Sequence, residues 1–242
     1  MFRLLKALPL MLALAALSIF TTSCSSSNQS QIRVVHAISD GPAVDIEVNT
    51  TKVFTNIAFT NVQPTPPAYT KVASGSVTLE AVDTGTTTAV IGNTTASLSG
   101  SSQDTVVMAG FLNGTGATAP TFYSIRDNNT APTTGNVEFR IIDASANTPV
   151  GGFDVYIVPP GTNITGLSPQ VSGLTLGQGS SYTSLAFAAN GHEVIATPHG
   201  NQTPDVSQVY QTPTGSIRTL IIVDDQGGGG ISTLPLELND LN

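Results

Sequence analysis

Apolar and polar residues alternate along most of this chain, the period-two pattern of strands with one buried face. Val44, Ile46 and Val48 alternate with Asp45 and Glu47, and Val77, Leu79 and Ala81 alternate with Thr78 and Glu80. The spacing predicts strands at 32–38, 43–48, 69–72, 76–82, 86–91, 94–98, 104–112 and 120–126, with a short strand or hairpin around Asn56 over 52–54 and 57–59. Residues 104–112 (DTVVMAGFL) form the longest apolar run and read as a central strand. Apolar residues do not recur at helical spacing over three turns anywhere in the chain, so no helix longer than a single turn is expected.

The pattern then repeats. Residues 32–48 (IRVVHAISDGPAVDIEV) return from residue 139 as FRIIDASANTPVGGFDVYIV, with Arg140 following Arg33 by 107 positions. Strands at 137–142, 153–158, 182–187, 192–197, 218–225 and 234–240 follow the order of the first set. Each opening pair reads as a hairpin around a turn-rich break, Ser39-Asp40-Gly41-Pro42 in the first copy. Asn190-Gly191 reads as a two-residue hairpin turn. Residues 63–68 hold three prolines, which keeps them out of a central strand and suits a crossing between sheets. Residues 127–135 are polar and carry Pro132, a natural boundary.

The fold class that follows is all-β: two tandem Ig-like/Greek-key antiparallel β-sandwich domains after a signal peptide. The expected divisions are a lipoprotein signal peptide at 1–23, a flexible tether at 24–30, a first repeat at 31–128, a linker at 129–136 and a second repeat at 137–242.

Composition sharpens this picture. Charged residues are 10% of the 242, against about 25% in an average soluble protein. With Arg3 and Lys6 in the leader, six bases face sixteen acids in the remainder, and no basic cluster exists to neutralise phosphates. Nucleic acid is therefore not an expected partner. The leader has a basic start, an apolar stretch from Leu8 to Phe20 and a small polar end at Thr21-Thr22-Ser23. The single cysteine, Cys24, comes next, so no intramolecular disulfide can form. Thr-Thr-Ser-Cys resembles a bacterial lipobox. That resemblance implies diacylglycerol and palmitate on Cys24, attachment to the membrane through that residue and, with Ser25 following, an outer-membrane address.

The opening stretch also resembles the bacterial domain-of-unknown-function family 4397, through Val35, His36, Ala37, Asp40, Pro42, Ala43, Val44 and Asp45. The resemblance implies β-rich domains, often in tandem, in secreted and surface proteins. It implies no activity.

Candidate chemistry is sparse. Ser39, His36 and Asp45 share one predicted hairpin, but the second copy has Asp143 in place of the histidine. A hydrogen bond between His36 and Asp45 suits the pattern better than a triad. Arg33 with Asp45, repeated as Arg140 with Asp154, reads as a structural charge pair that fixes strand register. His192, His199, Asp224 and Asp225 lack metal-ligand spacing, and the glycines at 227–230 lack the helix start and Lys-Ser/Thr of a phosphate loop. Neither a metal nor a cofactor is expected. Glycan stacking would fall to Tyr69, Tyr123, Tyr156, Tyr182 or Tyr210, as tryptophan is absent. The expected function is a non-catalytic cell-envelope lipoprotein that displays its sandwiches for binding or adhesion, toward a protein or glycan. The alternatives are an envelope hydrolase with a loop-borne site and a periplasmic small-ligand-binding protein.

Overall fold

A computed structural model describes residues 29–233 and 235–241. The leader, Cys24 and most of the tether lie outside the described residues. The first half contains β1 (Gln29–His36), β2 (Val44–Val48), β3 (Thr51–Ile57), β4 (Val62–Gln63), β5 (Thr70–Ala73), β6 (Gly75–Asp83), β7 (Ala89–Leu98), β8 (Gln103–Ala109) and β9 (Thr121–Arg126). The second half contains β10 (Asn136–Asp143), β11 (Phe153–Val158), β12 (Val171–Leu174), β13 (Thr183–Ala186), β14 (His192–Pro198), β15 (Val206–Tyr210), β16 (Ile217–Ile222) and β17 (Leu236–Asn239). Among the described residues the only helical element is a single 3-10 turn, Gly116–Thr118. None of them forms a helix long and apolar enough to cross a membrane.

Each half is a two-sheet sandwich, as the alternation predicts. In the first, sheet β4-β1-β8-β9, with β5 also on β1, faces sheet β3-β2-β6-β7. In the second, β13-β10-β16-β17 faces β12-β11-β14-β15. β1–β8 and β10–β16 pair in parallel and the remaining pairs are antiparallel.

The predicted opening hairpins are arches. β1 and β2 belong to opposite sheets, and so do β10 and β11. The Asp-Gly-Pro turn therefore carries the chain across the sandwich instead of folding it back on its neighbour. Asn190-Gly191 likewise joins β13 to β14 in the opposite sheet. The prolines of 63–68 lie between β4 and β5, which both border β1, so the sheet crossing falls at 58–61 instead. β4, β12 and β15 had no counterpart among the predicted strands.

The strands of β4-β1-β8-β9 and β13-β10-β16-β17 that lie at the centre are buried on both faces. Ile32, Val34, Val106 and Met108 enter the first core, while Val35, Val107 and Ala109 point the other way. Phe139, Ile141, Leu220 and Ile222 fill the second core, while Ile142, Ala144 and Ile221 point outward. Those outward residues meet in one apolar seam between the halves. The molecule is thus a four-layer stack with the two sandwiches side by side, not end to end. Two-sided burial explains why residues 104–112 and 218–223 read as unbroken apolar runs.

The halves point the same way. The chain enters at Gln29 at one pole and returns there at Asp127, and β10 starts upward again from Asn136. At the opposite pole the two halves touch: Gly227 donates its N–H to the Ser39 carbonyl at 2.8 Å.

Candidate functional site

The most organised polar group is a buried cluster within the seam. Arg33 on β1 and Arg140 on β10 are essentially unexposed, as are Asp127 and Asp240, which follow the last strand of each half. The partners are exchanged. Arg33 pairs closely with Asp240 of the second half and lies 3.3 Å from Asp127. Arg140 lies 2.6 Å from Asp127 of the first half and 3.8 Å from Asp240. Arg33 Nε donates to Thr105 at 2.8 Å, and Arg140 Nε to Thr219 at 2.9 Å. Arg33 Nη1 reaches the Asn239 carbonyl at 3.1 Å, and Arg140 Nη1 the Arg126 carbonyl at 2.9 Å. Tyr69 lies under the Arg33 guanidinium at 5.1 Å and donates to Asp127, and Tyr182 lies under Arg140 at 4.8 Å and donates to Asp240. Burial disfavours the charge on Arg33, but Asp240 and Asp127 outweigh it and its pKa rises. The cluster closes on itself with pseudo-twofold symmetry and holds the halves together.

The expected pairing of Arg33 with Asp45 and Arg140 with Asp154 is therefore corrected. The arches put each acid in the outer sheet, away from its arginine. Asp45 accepts from Lys52 at 2.6 Å, the Asn56 N–H at 2.9 Å and Thr84 at 3.1 Å, and its pKa is lowered, mainly by the Lys52 bond. His36 does not bond to Asp45. Its Nδ1 accepts the Ile38 N–H and its Nε2 donates to the Pro42 carbonyl at 2.9 Å, which defines a neutral tautomer; burial lowers its pKa. The Ser39 hydroxyl has no hydrogen-bond partner among the described residues. Ser39, His36 and Asp45 form no relay.

Two further polar groups occupy the far pole of the second half. Asp143, which replaces His36, accepts from the Ser145 N–H at 3.0 Å and Thr148 at 2.7 Å. Burial pushes its carboxyl up to about 7; its hydrogen bonds oppose the rise and Asp224 adds to it. Asp224 in turn accepts from the Ser145 hydroxyl, the Ala146 N–H and the Asn147 amide. Asp154 accepts from Ser172 at 2.8 Å, His199 Nδ1 at 2.9 Å, the Gly200 N–H at 2.9 Å and the Gly173 N–H at 3.1 Å. Burial works to raise its pKa, but the Gly200, His199, Ser172 and Gly173 bonds outweigh it and bring it down to about 2. His199, Asn201 and Gln202 line a shallow open cup over this carboxylate. Ser172 lies on the same ring nitrogen of His199 as Asp154, at 3.4 Å. A nucleophile relay needs the hydroxyl at the other nitrogen, so the trio is a loop brace.

The other sequence candidates find bland roles. His192 and His199 sit at opposite ends of β14, and among the described residues no three His, Cys, Asp or Glu side chains gather to hold a metal. The glycines at 227–230 form the β16–β17 loop, and Gly228 lies against the Phe111 ring, where a Cβ would come within 3.0 Å. Tyr69 and Tyr182 are bound into the seam, Tyr156 and Tyr210 are buried, and Tyr123 is half-buried against Gly177. None presents an open ring for sugar stacking. Sequence reasoning missed Asp127 and Asp240. The available signal was an acid recurring just after each closing strand, 113 residues apart.

Comparison with protein families gives one match. Residues 30–156 match DUF4397, a domain of unknown function. The match covers more than half of the chain, and the chain belongs to that family. It spans the first sandwich from Ser30 onward, then β10 and β11 as far as Tyr156. Comparison with curated proteins finds no match.

Proposed function

We propose that this is a cell-envelope lipoprotein, anchored through a lipidated Cys24, that displays its paired sandwiches for binding. The observation that carries the reading is polarity. β1 begins at Gln29, five residues beyond Cys24, and every arch and loop at the other pole faces away from that point. Residues 24–28 reach at most about 18 Å when extended, so the Gln29 pole stays next to the bilayer. The far-pole loops of both halves, among them 37–43, 110–120, 144–152 and 223–233, then form one outward platform. The reading includes no catalysis, the outer membrane as address and an envelope protein or glycan as partner. Two or three acyl chains hold such a protein firmly, at about 0.8 kcal/mol per buried methylene.

Metabolic labelling with tagged palmitate tests the anchor. Label is expected on the wild-type chain and absent from Cys24→Ala, which should leave the membrane fraction. Unlabelled wild-type protein free in the periplasm would end this reading and favour the small-ligand-binding alternative.

A further inference from the structure

The two flanks of the seam are built from equivalent positions but packed differently. On one flank Tyr123 of β9 covers Gly177, where an added Cβ would lie 2.1 Å from the ring, and Ile125 covers Gly179. Strand register gives the counterparts on the other flank. Tyr123 stands opposite Val107 as Leu236 stands opposite Ile221. The Gly177 N–H bonds to the Asp143 carbonyl as the Thr60 N–H bonds to the His36 carbonyl. The second flank therefore has leucine where the first has tyrosine, and threonine where the first has glycine. The ring-on-glycine contact is lost.

That flank is open. Two adjoining hollows of about 420 and 280 Å³ run from the far pole down the seam, sharing Thr60, Leu236 and Glu237. The larger is within the roughly 300–1,000 Å³ of small-ligand clefts. The walls are two sheet edges, β4 and β17. Apolar Phe59, Val62 and Leu238 line the groove, while Asp225 and Glu237 are exposed in its lining. Edge strands offer backbone donors and acceptors at the spacing of an extended chain, and alternate pockets then select side chains. No tyrosine ring stands open there for sugar stacking.

We infer that this open flank is the binding site for an extended peptide segment of a partner protein. The segment runs along β17, seats an aromatic side chain between Leu236 and Thr60 where Tyr123 closes the other flank, and sets a lysine or arginine beside Asp225. This rests on the display reading and names its partner class.

The probe is the fluorescein-labelled synthetic peptide Lys-Thr-Tyr-Thr-Val-Thr-Lys, followed by anisotropy on the full mature chain. Saturable binding is expected. Leu236→Tyr combined with Thr60→Gly, which rebuilds the ring-on-glycine contact of the closed flank, should weaken it at least ~10-fold, or about 1.4 kcal/mol. The exposed substitution Asp225→Lys should do the same, and it reports even if the double variant misfolds. Absence of saturable binding at ~1 mM, a limit of about −4 kcal/mol, overturns the proposal, and so does binding that neither variant changes. Palmitate labelling of the same chain separates the two readings. A labelled chain that ignores the peptide keeps the anchor and loses the groove.

Discussion

Two arginines explain most of what single residues do in this molecule. Arg33 and Arg140 are the largest fully buried side chains, and each holds the acid that ends the other half. Removing one partner of a buried ion pair leaves an uncompensated charge and costs about 3–5 kcal/mol. Arg33→Ala should lower stability by that amount in urea unfolding. A double-mutant cycle should find strong coupling between Arg33 and Asp240, and additivity within about 0.5 kcal/mol between Arg33 and Asp45. Coupling to Asp45 instead would restore the strand-register pair. The repeated arginines were visible in the sequence. Their partners were not: Asp240 lies 207 positions from Arg33, and Asp127, 13 positions before Arg140, belongs to the other half and shares no strand pattern with it. A second test lies in Asp143. Its folded pKa of about 7 exceeds its ordinary value of 3.8, so the native state holds a proton that the unfolded chain has released. Its contribution should therefore fall as pH rises from about 4 to about 7 and stay constant above. Asp143→Asn should match wild type in melting temperature near pH 4 and exceed it at pH 8. An unchanged difference between the two pH values would contradict the buried-carboxyl assignment.

The strands were legible because each buries at least one face, and alternation reports that directly. Which strands pair was much less legible. A turn sequence such as Ser39-Asp40-Gly41-Pro42 bends the chain equally well into a hairpin or an arch. The choice depends on the second face of β1, which carries Arg33 and Val35 into the seam. The runs at 104–112 and 218–223 held that information, since a strand wetted on one face would alternate. Gly177 shows the same dependence on a distant element. It looks like loop glycine in the sequence, yet its φ is +82° and its Cα faces the Tyr123 ring. Gly177→Val should cost about 1–3 kcal/mol from overpacking, with added backbone strain, read as a lower urea midpoint. Gly85→Val, also at positive φ but with open space around it, isolates the strain. Equal losses at the two sites would mean that Tyr123 does not close that flank.

At the scale of the molecule, two β-sandwich halves were legible in the sequence and the way they pack together was not. The polar stretch at 127–135 suggests a flexible link between separate bodies. It instead joins one pole of the first half to the same pole of the second, so the two inner sheets can face each other. Asp127, which begins the stretch, is a member of the buried cluster. This arrangement gives the platform its width, because both sets of far-pole loops open in one direction.

Small-angle scattering on the chain from Ser25 onward tests this arrangement most directly. A single compact body of this size has a radius of gyration of about 17 Å. That value is expected for the wild type. A value of about 22 Å or more, as two sandwiches strung end to end would give, contradicts the fused seam.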